Sequence, residues 1–584
     1  MKSRIYTHIA VGLAAASTVL SCAKLDLNPP AAASSENWYS TTDEVRISLN
    51  DFYRGTFYLI ESEWVMDRNT DDWSQRTNIY PFANGSIDAS TAKSNINVKN
   101  TWSYSYKNIS RANRILDACD NLEGKYGSDE LNSLRAEARF FRAYAYSRII
   151  TLWGDAPFYL ESITPEQAFE MGRTDKAVIL EQIYKDFDYA AQWLPLKNNN
   201  GQVTRVERGA AYAFKARIAL YQKDYKTAAQ AAKDCMDLDC YKLYPDYGAM
   251  FRDKTKHCEN IFSIVHSNDL EIDGDGKPTT QSIRSFIARS AGGTHNAQPS
   301  WELLATYEMT NGKTIDEPGS GFDPHDPFAN RDPRCAETFA VPGTQIYDID
   351  WNPAPDKLET MDYISGRFIT NNDSKGGTEA KNASYNGCCL RKGAQKEWRT
   401  ALFNDNPIML MRYADVLLMY AEAKIELNEI DQSVLACMND VRARAYGVKR
   451  SQTALYPALT TTDQAQLRRI LRRERRVEFA WENHRWFDLQ RWGQFDRAFA
   501  HGMYGFSRTN TVNIAAQAAG NWFWPETPAF DDEGFPDFSS WPDKYTGYIV
   551  IHGERHYDSK VNLWPIPSDD VQIMGGKLSQ NPGY

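Results

Sequence analysis

The chain has 584 residues, with 66 Lys and Arg against 76 Asp and Glu, for a net charge of -10. That balance argues against a nucleic-acid partner, whose phosphates require a basic surface. The length supplies either several domains' worth of chain or one large body with insertions, and 16 Trp, 32 Tyr and 26 Phe suit both a large core and surfaces that stack on sugar rings.

Lys2 and Arg4 precede an apolar run over residues 9–20, far short of the roughly 20 residues of a membrane-spanning helix. The pattern is that of an export signal. It ends at Val19-Leu20-Ser21-Cys22, which resembles the box that lipoprotein signal peptidase cuts before a cysteine, with Leu20 standing where a small residue is usual. Residues 1–21 are expected to be removed and Cys22 to carry a lipid. Residues 22–40, small, polar and Pro-containing through Ser35, are expected to form a flexible tether. No later stretch is long and apolar enough to cross a bilayer, so the body, 41–584, is expected to sit on the membrane by its anchor.

The body divides by texture into a helical part, 41–240, an irregular insert, 241–404, and a second helical part, 405–584. In the first, residues 134–144 alternate charge and bulk at helical spacing, and Trp153-Gly154-Asp155-Ala156-Pro157 marks a stop. A helix beginning near Thr174 places Ile183, Phe187, Ala190 and Leu194 on one face. Residues 211–239 read as a helical hairpin turning at Asp224-Tyr225. The small residues Ala216, Ala228 and Cys235 match tetratricopeptide spacing, although Ala219 stands where that repeat usually has tyrosine.

In the insert, Gly, Pro, Asn and Asp punctuate the chain, as at Asp273-Gly274-Asp275-Gly276 and Pro318-Gly319-Ser320-Gly321. So long an irregular span is usually functional. Asp269-Leu270-Glu271-Ile272-Asp273-Gly274 begins like a calcium loop, but position twelve is Thr280 rather than the bidentate glutamate the ion needs. The eight cysteines beyond Cys22 form no CxxC pair, and no metal or other cofactor is expected. In the last part a helix opening at Thr461, with Gln464 three residues on, has a capping-box pattern. One face of it carries Leu467, Ile470, Leu471, Glu474, Val477, Glu478 and Trp481.

The run Arg472-Arg473-Glu474-Arg475-Arg476-Val477-Glu478-Phe479-Ala480-Trp481-Glu482-Asn483-His484-Arg485-Trp486-Phe487-Asp488-Leu489-Gln490-Arg491-Trp492-Gly493 resembles the C-terminal signature of SusD/RagB proteins. Residues 412–423 and 439–445 are similar to the helical pair that precedes it in that family. Leu563-Trp564-Pro565-Ile566-Pro567 and Gln580-Asn581-Pro582-Gly583-Tyr584 are similar to its closing motif. Residues 136–157 and Asp332-Pro333-Arg334 also fit, while Asp415 replaces the usual glutamate. The resemblance implies a mainly α fold of tetratricopeptide-type hairpins with a long irregular ligand-binding overlay. It further implies a surface-exposed outer-membrane lipoprotein, not an enzyme, that lies as a lid on a SusC-like TonB-dependent transporter. Such proteins capture glycans or, in some members, peptides.

Glu474 and Glu478 are the tempting catalytic pair. Four residues apart on a helix, they face the same way at about 5–6 Å, and glycosidases use two carboxylates. A general acid, however, must keep its proton near neutral pH, and Arg472, Arg473, Arg475 and Arg476 favour the ionised form. The pair, with the arginine cluster over 468–476, is therefore expected to form structural ion pairs, and no catalytic residue is assigned. A surface glycoside hydrolase is the enzymatic alternative, without a nucleophile elbow or zinc motif to support it. For sugar binding, residues 64–82 fit best: Trp64, Asp71, Asp72, Trp73, Arg76 and Tyr80 set aromatic faces beside polar groups without helical period. Trp73 is the expected exposed platform, whereas Trp102, on a helical pattern with Tyr106, Ile109 and Asn113, is expected in the core. Tyr347 and Trp351, in a Pro- and Asp-rich loop, are the second candidates.

Overall fold

The computed structural model describes residues 38–584 except 63, 77–79, 199–204, 256, 267–280 and 402. The export segment, Cys22, the tether up to residue 37 and the calcium-like loop over 269–274 lie outside the described residues.

The scaffold is a succession of helices, each packed on the next. α1 (Thr42–Asn50) begins at a capping box in which Thr41 and Glu44 satisfy each other's backbone N–H groups. It is followed by α2 (Ile96–Asn121), α3 (Ser128–Trp153), α4 (Lys176–Trp193), α5 (Arg208–Tyr221) and α6 (Tyr225–Met236). α3 ends where Gly154 takes a φ of 74°, a left-handed turn that suits glycine. Arg142 of α3 grips Asp186 of α4 with two hydrogen bonds, at 2.8 and 2.9 Å. Ile183, Phe187, Ala190 and Leu194 are all buried, as their spacing predicts. The α5–α6 hairpin turns at Asp224, whose side chain caps Thr227 N–H, and Ala216, Ala228 and Cys235 are buried in it. Trp102 is buried too, edge-on to Trp153 at 5.1 Å.

The second helical part adds α7 (Tyr413–Glu426), which packs on α5 and α6, then α8 (Gln432–Ala445), α9 (Gln464–Glu478) and α10 (Arg485–Trp492). The N-cap of α9 is Asp463, which accepts from Gln466 N–H at 2.7 Å. This corrects the capping box expected at Thr461. Thr461 stands two residues too early and bonds the Gln466 side chain instead.

The overlay is built from short antiparallel strands. β1 (Trp73–Gln75) pairs with β3 (Ala297–Pro299), and β2 (Asn260–Ile264) pairs with β8 (Ile408–Arg412), which leads directly into α7. β4 (Thr344–Ile346), β5 (Ile349–Trp351), β6 (Glu359–Asp362) and β7 (Arg367–Thr370) form a meander in sequence order. β9 (Met503–Phe506) pairs with β10 (Ile549–Gly553). β2 and β8 add Ile261, Phe262, Ile264, Leu410 and Met411 to the helical core, whereas β1, β3, β4, β5, β9 and β10 contribute to a second core around Trp301, Trp351, Trp481, Trp524 and Trp541. Helix α9 straddles both cores, with Leu467 and Leu471 in the first and Val477 in the second.

A buried ionic seam runs along α9. Arg334, from the Asp332-Pro333-Arg334 tripeptide of the overlay, donates to Glu474 at 2.6 Å and Glu478 at 2.9 Å. Arg412 joins Glu259 at 2.8 Å to Glu478 at 2.7 Å, and Arg444 bridges the same two carboxylates. Arg475 lies between Asp415 at 2.8 Å and Asp488 at 3.0 Å. Burial alone would raise the Glu478 carboxyl, but Arg444, Arg412 and Arg334 hold it well below the usual carboxylate range. A general acid needs the opposite shift, so the Glu474–Glu478 pair is ionic framework.

Candidate functional site

The segment singled out in the sequence begins with two acids that face inward. Asp71 receives both Nε and Nη2 of Arg485 at 2.8 Å, and Arg476 reaches Asp71 at 2.8 Å and Asp72 at 2.7 Å. Burial opposes the charge on Asp71, yet Arg476 and Arg485 keep its pKa low. These contacts draw the next residues into the core. Trp73 is only 3% exposed, and its ring lies against Trp481 with centroids 4.7 Å apart and planes at 21°. Its indole N–H donates to Gln75 at 3.1 Å. The expected platform at Trp73, collared by Asp71 and Asp72, is thereby corrected: the acids anchor helix α9 and the ring packs inside.

The second candidates are corrected in the same way. Ile346 and Ile349 pair across a two-residue turn at Tyr347-Asp348, whose φ angles are 52° and 54°, the geometry of a tight hairpin turn. Tyr347 is buried, donating its hydroxyl to Leu390 O at 3.2 Å, and Trp351 on β5 is fully buried.

What reaches the surface is the rim of the aromatic cluster. Trp64 and Tyr80 are half-buried at its edges. Trp64 packs edge-on to Phe286 at 4.4 Å and tilts against Trp481 at 5.8 Å. Tyr80 is edge-on to Trp73 at 6.5 Å, with the Arg68 guanidinium over both rings and donating to the Tyr80 hydroxyl. The Trp64 backbone has a φ of 56°, unusual for a bulky residue. Strain of this kind persists where the surroundings impose it, and it concentrates at ligand sites.

Trp64 lines a cavity of about 90 Å³ with Phe251, Trp398, Trp481, Asn404 and Asn483. Asn483 is committed to structure, accepting from Met66 N–H at 2.9 Å and donating to Glu61 O at 2.8 Å. The Trp398 indole N–H is buried without an acceptor among the described residues. Sequence reasoning missed Trp398 and Phe251, which lie in the insert without any periodic signal.

Arg76, the remaining candidate, is half-buried. Its Nη1 donates to the carbonyls of Thr294 at 3.3 Å and Asn382 at 2.7 Å. Among the described residues no three His, Cys, Asp or Glu side chains are grouped to hold a metal, and no helix is long and apolar enough to cross a membrane.

The comparisons with known proteins converge. Residues 258–584 match the model of the SusD family, and residues 25–220 match a model described as starch-binding associating with outer membrane. SusD-like protein P25 of Formosa agariphila is 27% identical over 489 residues, 80% of this chain and 86% of that one. The crystal structure of a SusD-like carbohydrate binding protein from Bacteroides fragilis superposes with a TM-score of 0.72 at 25% identity, covering 92% of this chain and 99% of that one. A laminarin binding SusD-like protein superposes with a TM-score of 0.59 at 19% identity, covering 93% and 99%. The family model spans more than half of the chain, including every helix of the ionic seam, and the chain belongs to the SusD family.

Proposed function

We propose that the protein is a surface glycan-binding lipoprotein that captures an oligosaccharide or polysaccharide and passes it to a SusC-like TonB-dependent transporter. The observation that carries this reading is a stacking face beside side-chain amides in one cavity: the half-buried Trp64 lines it together with Asn404 and Asn483. A pyranose offers an apolar face to the ring and hydroxyl groups to the amides. Tyr80 supplies a further ring at the opposite edge of the aromatic cluster. The names of relatives support the reading, since one solved neighbour is a carbohydrate binding protein and another binds laminarin. The export segment ending at Cys22 supports lipid anchoring at the outer membrane.

The test is incubation of the purified protein with fluorescently labelled oligosaccharides, read by retention and by chromatography of the recovered sugar. Retention without shortening is the expected result. Turnover would favour a surface glycoside hydrolase, and retention of peptides instead would place the protein among the peptide-binding members. Co-purification with a TonB-dependent barrel from outer membranes tests the hand-off.

A further inference from the structure

The chain is acidic as a whole, yet one patch of the overlay is nearly all cationic. Arg76 leaves β1 with its Nη1 pinned by the carbonyls of Thr294 and Asn382. Arg508, exposed just after β9, donates its Nη2 to the Arg76 carbonyl at 3.2 Å. Thr294 bonds the carbonyl of exposed Arg284 through its own N–H at 2.9 Å, and Asn382 follows exposed Lys381. The acids that these contacts reach are Glu379, already engaged by Asn382 at 2.9 Å and by Arg289 at 3.6 Å, and the buried Asp373, taken up by the Arg289 backbone N–H and by His295 at 3.0 Å each. Arg76 and Arg508 have no ion-pair partner among the described residues.

Two further donors reinforce the imbalance. Arg289 Nε is buried without an acceptor among the described residues. Among the described residues, the fully buried Lys375 gives its ammonium only to Ala380 O, at 2.9 Å, and Asn513 ties the Lys375 and Ser507 carbonyls together at 3.0 Å each. Burial, and then the Arg508 charge, push the Lys375 ammonium down to about 7. Burial and the charges of Arg289 and Arg508 likewise lower Arg76. Elsewhere in this protein buried arginines meet carboxylates, as along α9; here Arg76 lies within reach of the charges of Arg289 and Arg508 and meets no carboxylate among the described residues. Like charges brought together with little countercharge repel, and an external anion relieves that repulsion. The arginine fork fits the paired oxygens of a carboxylate or sulfate ester.

We propose that the glycan taken by this protein is acidic, with its carboxylate or sulfate ester groups seated on Arg76 and Arg508. This rests on the glycan-binding reading above and specifies its ligand class. Both sources of negative charge present the same oxygen geometry to the two guanidinium groups.

Titration calorimetry with oligogalacturonates, sulfated galactan oligosaccharides, laminari-oligosaccharides and xylogluco-oligosaccharides tests it on the full-length protein. An acidic oligosaccharide is expected to bind, more weakly as salt is raised. Arg76→Gln and Arg508→Gln are each expected to weaken that binding about tenfold or more with unchanged melting curves. Arg508, being exposed, keeps the test valid if Arg76→Gln folds poorly. Which acidic sugar binds separates carboxylate from sulfate recognition. Binding confined to the neutral sugars, or acidic binding indifferent to both substitutions, overturns the anion proposal and leaves glycan binding standing. No binding to any of the four overturns both.

Discussion

The ring of Trp73 lies nearly parallel to that of Trp481, their centroids 4.7 Å apart, so strand β1 and the turn that follows helix α9 share one buried aromatic stack. Trp73→Ala is therefore expected to cost about 3–5 kcal/mol of stability, the range for deleting a buried tryptophan. Denaturant unfolding measures this, and a loss under about 1 kcal/mol, as for a surface change, would put the ring back at the surface.

Trp64 and Tyr80 are expected to behave differently. Truncating either to alanine removes a half-buried ring at the rim, so glycan affinity should fall severalfold while the melting temperature shifts by less than it does for Trp73→Ala. Calorimetric binding beside thermal melts decides this. Normal affinity in both variants would move the sugar site away from the aromatic rim.

Glu478 accepts from Arg334, Arg412 and Arg444. Removing one member of a buried ion cluster strands the others, typically at about 3–5 kcal/mol. Glu478→Gln should thus lower the unfolding midpoint strongly and affect sugar binding only through the loss of folded protein. A variant of native stability that no longer processes a glycan would contradict the structural role.

The same group sets a pH dependence. The folded pKa of Glu478 is depressed relative to about 4.3 in an unfolded chain. Its contribution is therefore fully present above that value and is lost as the pH falls towards the folded pKa. The stability gap between the wild type and Glu478→Gln should be constant from about pH 8 to pH 5 and narrow below about pH 4. Urea midpoints across that range give the answer, and a gap that widens on acidification would reverse the assignment.

Cys22 closes the export segment. Cys22→Ala should leave the precursor uncleaved or release the protein from the membrane fraction. Fractionation with an intact-mass measurement tests this, and unchanged processing with membrane retention would place the anchor elsewhere.

The scaffold was legible in the sequence because its signals are local. Ile183, Phe187, Ala190 and Leu194 recur at helical spacing, and Asp224 caps the next helix from one residue away. The binding segment was misjudged because its fate is decided far along the chain. Nothing near Asp71 and Asp72 shows that Arg476, some four hundred residues later, will bury them. Stripped of that partner, Asp71-Asp72-Trp73 reads as a solvated aromatic. The Tyr347-Asp348 turn was equally hidden, because tight hairpin turns usually announce themselves with Gly or Asn and this one has neither. The cationic patch gathers Arg76, Arg289 and Arg508 from three distant stretches, and no local spacing connects them.

The ionic seam also makes the chain indivisible. Glu259 and Asp71 belong to the first half of the sequence, while Arg412, Arg444, Arg476 and Arg485 belong to the second. A fragment ending in the insert would carry those acids with their desolvated sites and no guanidinium to fill them, and the complementary fragment would leave Arg476 and Arg485 without Asp71. Either piece would thus strand buried charge, which is strongly destabilising, so the two cores, although separate clusters of side chains, depend on one shared set of ion pairs.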